Sequence, residues 1–249
     1  MTSNATVGKM ELAKRDTGIS LRAAALVAGI GLLLMAVPAA IANFYIVEGL
    51  VVPGDAAATA DNILANEQLF RLGILSFLVV IVLDIVVAWA FYFLFEPVNR
   101  SLSLLTAWFR LAYAVMFAAA LFFRIAALNL LTGSGMEALG TGQLQAQALL
   151  SVNAFSDGWS ASYVFFGLHL ILLGYLAFKS GYVPKVLGIL VVVAGLGYIF
   201  DAVAGVLMPD IGFSVGMITF FGELLLALWL VYKGLTVKQW EVPAASDVA

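Results

Sequence analysis

The chain has 249 residues, of which 63% are hydrophobic and 11% are charged, with a formal net charge of −3. Soluble domains carry about 25% charged residues, so this composition excludes an ordinary soluble domain, a disordered tail and a nucleic-acid binder. The absence of cysteine excludes disulfides, thiolate metal sites and thiol redox chemistry. The single histidine, His169, argues against a multi-histidine metal site or a bis-histidine haem site, and we therefore expect no metal and no cofactor.

Six apolar stretches are long enough to cross a membrane, for which about 20 mostly apolar residues are needed. They are Leu21–Tyr45, Phe70–Phe95, Leu102–Leu130, Leu149–Phe178, Val186–Met208 and Phe213–Leu235. The pattern predicts an all-α fold, namely a polytopic transmembrane helical bundle of six spans. Residues 1–20 are then an N-terminal tail, residues 21–235 the membrane domain and residues 236–249 a C-terminal tail.

The basic residues predict the orientation of the spans. Arg71 alone lies on one side of the predicted membrane, and nine basic residues lie on the other: Lys9, Lys14, Arg15, Arg22, Arg100, Lys179, Lys185, Lys233 and Lys238. Cytoplasmic loops carry an excess of Lys and Arg, so both termini are expected in the cytoplasm. The mostly polar residues before the first span are not expected to be a cleaved signal peptide. The lipid bilayer is the first expected partner.

A short external helix is predicted before the second span. Residues 53–55, with the sequence PGD, indicate a chain break followed by a helix N-cap, and Ala56–Gln68 then has the pattern of a helix. Glu67 and Arg71 have the i,i+4 spacing of a local ion pair. A second polar helix is predicted over Thr141–Gln147, leading into the fourth span.

Ionisable side chains at membrane depth are the strongest functional signal, because they are costly there and normally face partners or water. Distances from the span centres, at about 1.5 Å per residue, predict two layers of such residues. The midplane layer comprises Asp84 and Glu223, with Arg110 and His169 slightly towards the cytoplasm. The outer polar layer comprises Arg124, Asp157 and Asp201.

One face of the third span is expected to point inward. Arg110 and Arg124 are fourteen residues apart and share nearly one helix face, which also carries Tyr113 and Phe117. The outer half of the fourth span, Ser151–Ser162, is too polar for lipid. It indicates either a wet vestibule or a hydrogen-bonded helix contact.

Four intramembrane acids face two arginines, so two acids lack a cationic partner. A buried carboxyl without a partner favours its uncharged, protonated form, which suits both a proton-coupled carrier and an inert buried acid. Arg124 with Asp157 or Asp201 fits a structural ion pair as well as a binding site. His169 fits a hydrogen-bonded core residue as well as a proton relay.

Small and aromatic residues have simpler interpretations. Gly188, Gly195 and Gly197 are expected to permit close helix packing. The tryptophans, including Trp159, are interpreted as ordinary lipid-facing or packing residues.

Three stretches resemble a family of bacterial multi-pass membrane proteins known as Domain of Unknown Function 4386. They are VVPGDAAATADNILANEQLFRLG at 51–73, EPVNRSLSLLTAWFRL at 96–111, and FFGLHLILLGYLAFKSGYVPKVLGILVVVAGLGYIFD at 165–201. The resemblance implies a prokaryotic integral membrane protein and supplies no activity. Glu67, Arg71, Arg110, His169 and Asp201 fall within these stretches.

The leading functional hypothesis is a helical bundle that binds or transports a small solute or ion. Asp84 and Glu223 would bind the cation or proton, Arg110 would hold an anionic group or tune their protonation, and the outer polar layer would form the access route. Such a bundle is also a candidate for homo-oligomerisation.

The main alternative is a non-transporting accessory or assembly subunit of a membrane complex, with Asn66, Glu67 and Arg71 as an external docking face for a membrane protein partner. A membrane-embedded lipid enzyme is a third hypothesis, to which no catalytic residue is assigned. The familiar hydrolase, metalloprotease and nucleotide-binding motifs are absent from the sequence.

Overall fold

The computed structural model describes residues 19–40, 48–133, 139–208 and 213–237, and within these ranges the regular structure is entirely helical. The longer helices are α1 (Leu21–Ala40), α2 (Ala56–Ala65), α3 (Glu67–Phe95), α4 (Arg100–Thr132), α5 (Thr141–Lys179), α6 (Lys185–Leu207) and α7 (Phe221–Thr236). Single helical turns lie at Glu48–Leu50 and at Gly216–Thr219, the latter leading directly into α7.

Five described helices are long and apolar enough to cross a membrane: α3, α4, α5, α6 and the run Gly216–Thr236, with mean hydropathies between 1.5 and 2.8. The shorter apolar α1 adds a sixth membrane-type helix. The end of the first predicted span, residues 41–45, lies outside the described residues. The predicted all-α membrane bundle is thus confirmed, and the chain is an integral membrane protein.

The six membrane-type helices form a closed ring. Each packs against the next one along the chain, from α1 on α3 through to α6 on α7, and α7 returns to pack on α1. The α1–α7 contact includes a hydrogen bond from Arg22 Nε to the Gly234 carbonyl at 2.7 Å. Because the ring is closed, side chains on its inner face meet those of non-neighbouring helices across the centre.

Short turns make neighbouring helices antiparallel, as predicted. Residues 96–99 join α3 to α4, and the Asn99 side chain accepts a hydrogen bond from the Leu102 amide at 3.0 Å, which caps α4. Residues 180–184 join α5 to α6, with Gly181 at a φ of 73° that favours glycine.

Glycines bring α5 and α6 into backbone contact. A Cβ atom at Gly167 would lie 2.5 Å from the Gly195 carbonyl oxygen, and one at Gly188 would lie 2.7 Å from the Gly174 carbonyl oxygen. Gly197 packs in the same way against the side chain of Thr219. The predicted role of Gly188, Gly195 and Gly197 in close packing is confirmed.

Helix α2 lies at one end of the ring, where it packs on α4 and α5. Asp55 caps it by accepting a hydrogen bond from the Ala58 amide at 2.9 Å, as predicted. The helix is shorter than the predicted Ala56–Gln68, because the backbone breaks at Asn66 before α3 begins at Glu67. The predicted polar helix Thr141–Gln147 is not separate, since it forms the first two turns of α5.

We call the end of the ring that carries α2 the α2 end. Five described basic residues lie at or near helix termini at the opposite end: Arg22, Arg100, Lys179, Lys185 and Lys233. This clustering is the pattern on which the predicted orientation rests. The orientation itself stays a prediction.

Candidate functional site

A cavity of about 660 Å³ lies inside the ring, and all six membrane-type helices contribute to its lining. Its upper part reaches the α2 end, where the exposed residues Met208, Phe213 and Met217 line it. Its floor is formed by Asp84 and Arg110, each only 2% exposed. Among the described residues, the cavity is therefore a pit that reaches about halfway through the ring.

The floor is a buried ion pair. Arg110 Nη2 lies 2.6 Å from Asp84 Oδ1, which joins α4 to α3. The Arg110 guanidinium also stacks over Phe166 of α5, with its central carbon 5.4 Å from the ring centroid. The predicted midplane grouping of Asp84 with Arg110 is therefore present as a direct contact.

His169 joins α5 to this pair from below. Its Nδ1 lies 2.9 Å from the Thr106 carbonyl oxygen, and its Nε2 lies 3.1 Å from Arg110 Nη1. A carbonyl oxygen only accepts and a guanidinium only donates, so Nδ1 carries the proton and Nε2 accepts from Arg110. This neutral imidazole is fully buried and does not line the cavity. It orients Arg110, which matches the hydrogen-bonded core interpretation.

Apolar packing closes the ring beneath the floor. Phe91, Leu94, Phe95, Leu173 and Leu176 are at most 1% exposed and belong to the main hydrophobic core. Such close packing leaves no room for water in this half of the described bundle.

Glu223 is the acid that faces the cavity without a cation. It lies in the first turn of α7 and lines the cavity beside Tyr198 of α6. Within the described residues it forms no ion pair, because the Arg110 guanidinium is paired to Asp84 instead. Its side chain is partly exposed where it lines the cavity.

Asp201 lines the same cavity one level higher. Its carboxylate accepts hydrogen bonds from the backbone amides of Val215 and Gly216, both at 2.8 Å, and from the Ser214 hydroxyl. These bonds hold the helical turn Gly216–Thr219 against α6. Asp201 is therefore satisfied by three neutral donors.

Aromatic rings form a continuous wall of the cavity, which reaches Glu223 at Tyr198. Tyr113, Phe166 and Tyr198 are linked by centroid distances of 4.7 and 5.0 Å, and Tyr163 lies 5.3 Å from Tyr198. Trp159 continues the wall and donates a hydrogen bond from Nε1 to the Tyr113 hydroxyl at 3.2 Å.

Trp159 packs against the main hydrophobic core, as interpreted, and it also lines the cavity, which was not predicted. Its i,i+4 spacing to Tyr163 in the polar half of the fourth span is the sequence signal that identifies this face. The inward face predicted for Tyr113 and Phe117 is confirmed.

The predicted outer polar layer is not one cluster. Asp157 is exposed on the outer side of α5, whereas Asp201 faces the cavity. Ser160 lines the cavity and Ser162 is buried, so the polar half of the fourth span combines a cavity face with a helix contact. The depth estimates failed to group these residues correctly, because depth carries no information on the direction around the ring.

Arg124 pairs with neither Asp157 nor Asp201, so the expected ion pair is wrong. It is 2% exposed, and none of its three guanidinium nitrogens has a hydrogen-bond partner. Its central carbon lies 4.5 Å from the ring centroid of Phe155 and 5.7 Å from that of Phe70. The guanidinium is stabilised by aromatic faces alone, beneath the α2 end.

The proposed docking residues satisfy one another locally. Arg71 Nη2 lies 2.7 Å from Glu67 Oε1, which confirms the predicted i,i+4 pair. Asn66 donates from Nδ2 to the Asn62 carbonyl at 3.0 Å. All three side chains lie at the junction of α2 and α3.

Within the described parts of the chain, no three His, Asp or Glu side chains come close enough together to hold a metal ion.

These features define the class of the protein, which is a polytopic helical membrane protein with a pit that ends at a buried Asp–Arg–His group. The chain belongs to the family described as Domain of unknown function (DUF4386), whose model matches residues 27–234. It is similar to a protein of Archaeoglobus fulgidus described as an uncharacterized protein, with 39% identity over 163 residues, 65% of this chain and 83% of the relative. No solved structure matches the chain significantly.

Proposed function

We propose that the chain is a carrier that binds a small solute or ion in the cavity, with Glu223 and Asp84 as its coupling carboxyls. The observation that carries the proposal is the cavity itself, which is lined by six helices and has a volume of about 660 Å³. Ligand pockets for small molecules have volumes of about 300–1,000 Å³. A site that ends near the midplane between helices is the usual place for a carrier's substrate.

Glu223 is the stronger coupling candidate of the two. Its charged form is matched by no cation, so either a proton or a bound cation can neutralise it. The groups that face it are Tyr198 and Asp201 of α6, Arg110 of α4 and Asp84 of α3, while the cavity-lining residues of α1 are apolar. A proton and a cationic solute would therefore compete for one carboxyl.

Asp84 and Arg110 have the second role in the proposal. The ion pair is neutral overall and closes the pit, so opening towards the opposite end of the ring requires this pair to move or separate. Loss of either charge would leave the other buried without its partner. We therefore assign Glu223 to solute or proton binding, and we assign Asp84, with Arg110, to coupling that binding to the opening of the floor.

The proposed setting is the cytoplasmic membrane of a prokaryotic cell, with both termini and residues 1–20 and 236–249 in the cytoplasm. The basic residues at the end opposite α2 support this orientation. The cavity then faces the outside. A reporter fused to the C-terminus tests this orientation. Alkaline phosphatase activity of the fusion in the periplasm would contradict it.

A transport experiment tests the function with two matched glycine variants. Gly205 lines the cavity, Gly142 lies in the first turn of α5, and a Cβ atom at either position meets nothing within 4 Å. Sealed membrane vesicles that contain each variant are incubated with a small-molecule extract of the host cells, and the retained compounds are identified by mass spectrometry.

We expect at least one compound to accumulate with the wild type and with Gly142→Trp but not with Gly205→Trp. The combined replacements Asp84→Asn and Glu223→Gln should also abolish the accumulation. Equal retention in all four samples would contradict the carrier proposal.

The accessory-subunit alternative has less support. Its three docking residues are engaged in local bonds at the α2–α3 junction. A lipid enzyme would need a reactive group in the cavity, and the carboxyls there are held by a guanidinium, by backbone amides or beside a tyrosine.

A further inference from the structure

The charges that line the cavity are unequal. Its lining includes three carboxylates, Asp84, Asp201 and Glu223, and one cation, Arg110. The Arg110–Asp84 pair neutralises itself, and Asp201 is satisfied by three neutral hydrogen-bond donors. Glu223 is left as the acid that forms no ion pair within the described cavity: Tyr198 bonds its side chain, and Arg110 acts on it from a distance while paired to Asp84.

The cavity offers little to an anion. Both terminal nitrogens of Arg110 are engaged, Nη2 by Asp84 and Nη1 by His169, and its Nε is buried from the cavity. An anionic solute would therefore meet Glu223 without a free cation to compensate. Like charges in a low-dielectric site repel strongly.

The aromatic wall beside Glu223 suits a cation with an apolar surface. Tyr113, Trp159, Tyr163, Phe166 and Tyr198 come from three helices and form neighbouring ring pairs 4.7–5.8 Å apart. Aromatic faces attract cations through their quadrupole, and weakly hydrated organic cations are recognised in this way. The remaining lining residues are mostly apolar, including Leu32, Met35 and Ala36 of α1.

We infer that the solute is a lipophilic organic cation, whose charge is held by Glu223 and whose apolar body lies against the wall of Tyr113, Trp159, Tyr163, Phe166 and Tyr198. This inference rests on the proposed function and names its substrate class. A small inorganic ion would leave most of the 660 Å³ cavity and its aromatic wall unused. An apolar neutral molecule would desolvate the Glu223 carboxyl and leave it with the Tyr198 hydroxyl but with no described cation in direct contact.

Three compounds of similar aromatic bulk separate charge from shape. Tetraphenylphosphonium is a cation, tetraphenylborate is an anion of the same geometry, and triphenylphosphine oxide is neutral. Each is titrated calorimetrically into the full chain in lipid nanodiscs, and empty nanodiscs are used to subtract partition into lipid. We expect tetraphenylphosphonium to bind with one site per chain and more tightly than the other two compounds.

Matched variants locate the interactions. Glu223→Gln should weaken tetraphenylphosphonium binding by about tenfold or more, whereas Asp157→Asn, at an exposed acid outside the cavity, should leave it unchanged. Trp159→Leu should weaken it, and Trp108→Leu, at a tryptophan 59% exposed on α4, should not. Glutamine has nearly the shape of glutamate, so Glu223→Gln removes the charge and keeps the packing. The comparison of the three compounds uses the wild type and therefore does not depend on the folding of any variant.

The outcomes separate the two proposals. Tighter binding of tetraphenylborate or triphenylphosphine oxide, blocked by Gly205→Trp, would overturn the cation inference and leave a solute-binding cavity. Unchanged tetraphenylphosphonium affinity in Glu223→Gln would also overturn the inference. Binding of no compound beyond that of empty nanodiscs, or binding that persists in Gly205→Trp, would count against the proposed function itself.

Discussion

Two arginines on one helix have opposite surroundings. Arg110 and Arg124 lie on the same face of α4, and each is 2% exposed. Arg110 contacts Asp84 and His169, so its charge is compensated and its direction is fixed by three helices. Among the described residues, the Arg124 guanidinium lies against the faces of Phe70 and Phe155 and has no hydrogen-bond partner.

The difference shows that burial of a charge does not by itself mark a site. Arg110 is at the floor of a cavity and belongs to a polar group that connects α3, α4 and α5. Arg124 adjoins an apolar pocket of about 10 Å³, which has room for roughly one water molecule. The first arrangement supports a function, whereas the second carries an electrostatic cost that, among the described residues, only contacts with two aromatic rings offset.

The largest effect is expected for Arg110→Met. The replacement leaves the Asp84 carboxylate buried and unpaired and removes the donor to His169 Nε2. Removing one partner of a buried pair costs about 3–5 kcal/mol of unfolding free energy. Denaturant unfolding in detergent, followed by tryptophan fluorescence, measures it.

The double replacement Asp84→Leu with Arg110→Met is the control for that prediction. Because it removes both charges together, it should recover a large part of the lost stability. A double variant no more stable than Arg110→Met would contradict the ion-pair account.

Arg124→Met should act in the opposite direction. Methionine fills similar space between Phe70 and Phe155 without a charge, so the free energy of unfolding should rise by about 1–4 kcal/mol. The same unfolding assay measures it beside Arg110→Met. A loss of stability in this variant would show that the Arg124 guanidinium has a stabilising partner.

His169→Phe tests the contribution of His169 to the surroundings of Arg110. Phenylalanine keeps the packing against Phe91 and Phe166 but removes the acceptor for Arg110 and the donor to the Thr106 carbonyl. The expected cost is about 1–3 kcal/mol of unfolding free energy. Solute binding should also weaken if His169 positions Arg110, and unchanged stability would argue against that role.

Arg71→Ala is expected to have the smallest effect. Its pair with Glu67 is exposed, with side chains 47% and 35% accessible, so solvent screens the interaction. The change in unfolding free energy should stay below about 0.5 kcal/mol. Co-purification of a membrane protein partner with the wild type but not with Arg71→Ala would favour the accessory alternative instead.

Much of the fold could be predicted from the sequence because a lipid bilayer requires each span to be long, apolar and poor in charged residues. The order of the helices, the Asp55 cap, the Glu67–Arg71 pair and the glycine contacts all depend on residues close in sequence or on spacing along one helix. The end of α2 at Asn66 could not be predicted, because no proline or glycine marks that break.

The site could be predicted only in part. Depth estimates grouped Asp84 and Arg110, because two charges at one level of a small ring are drawn together. The same estimates failed for Arg124, Asp157 and Asp201, which point in three different directions around the ring. The aromatic wall needs the packing of three helices, which one sequence does not provide.

Native mass spectrometry of the chain, extracted gently from its own membrane, tests directly whether the cavity holds a small solute. We predict that the wild type and Gly142→Trp retain a small-molecule adduct at one per chain, and that Gly205→Trp, which adds an indole at the mouth of the cavity, retains none. An adduct of equal occupancy on all three proteins would contradict the proposal that the cavity binds a solute. So would a stoichiometric protein partner together with an empty cavity.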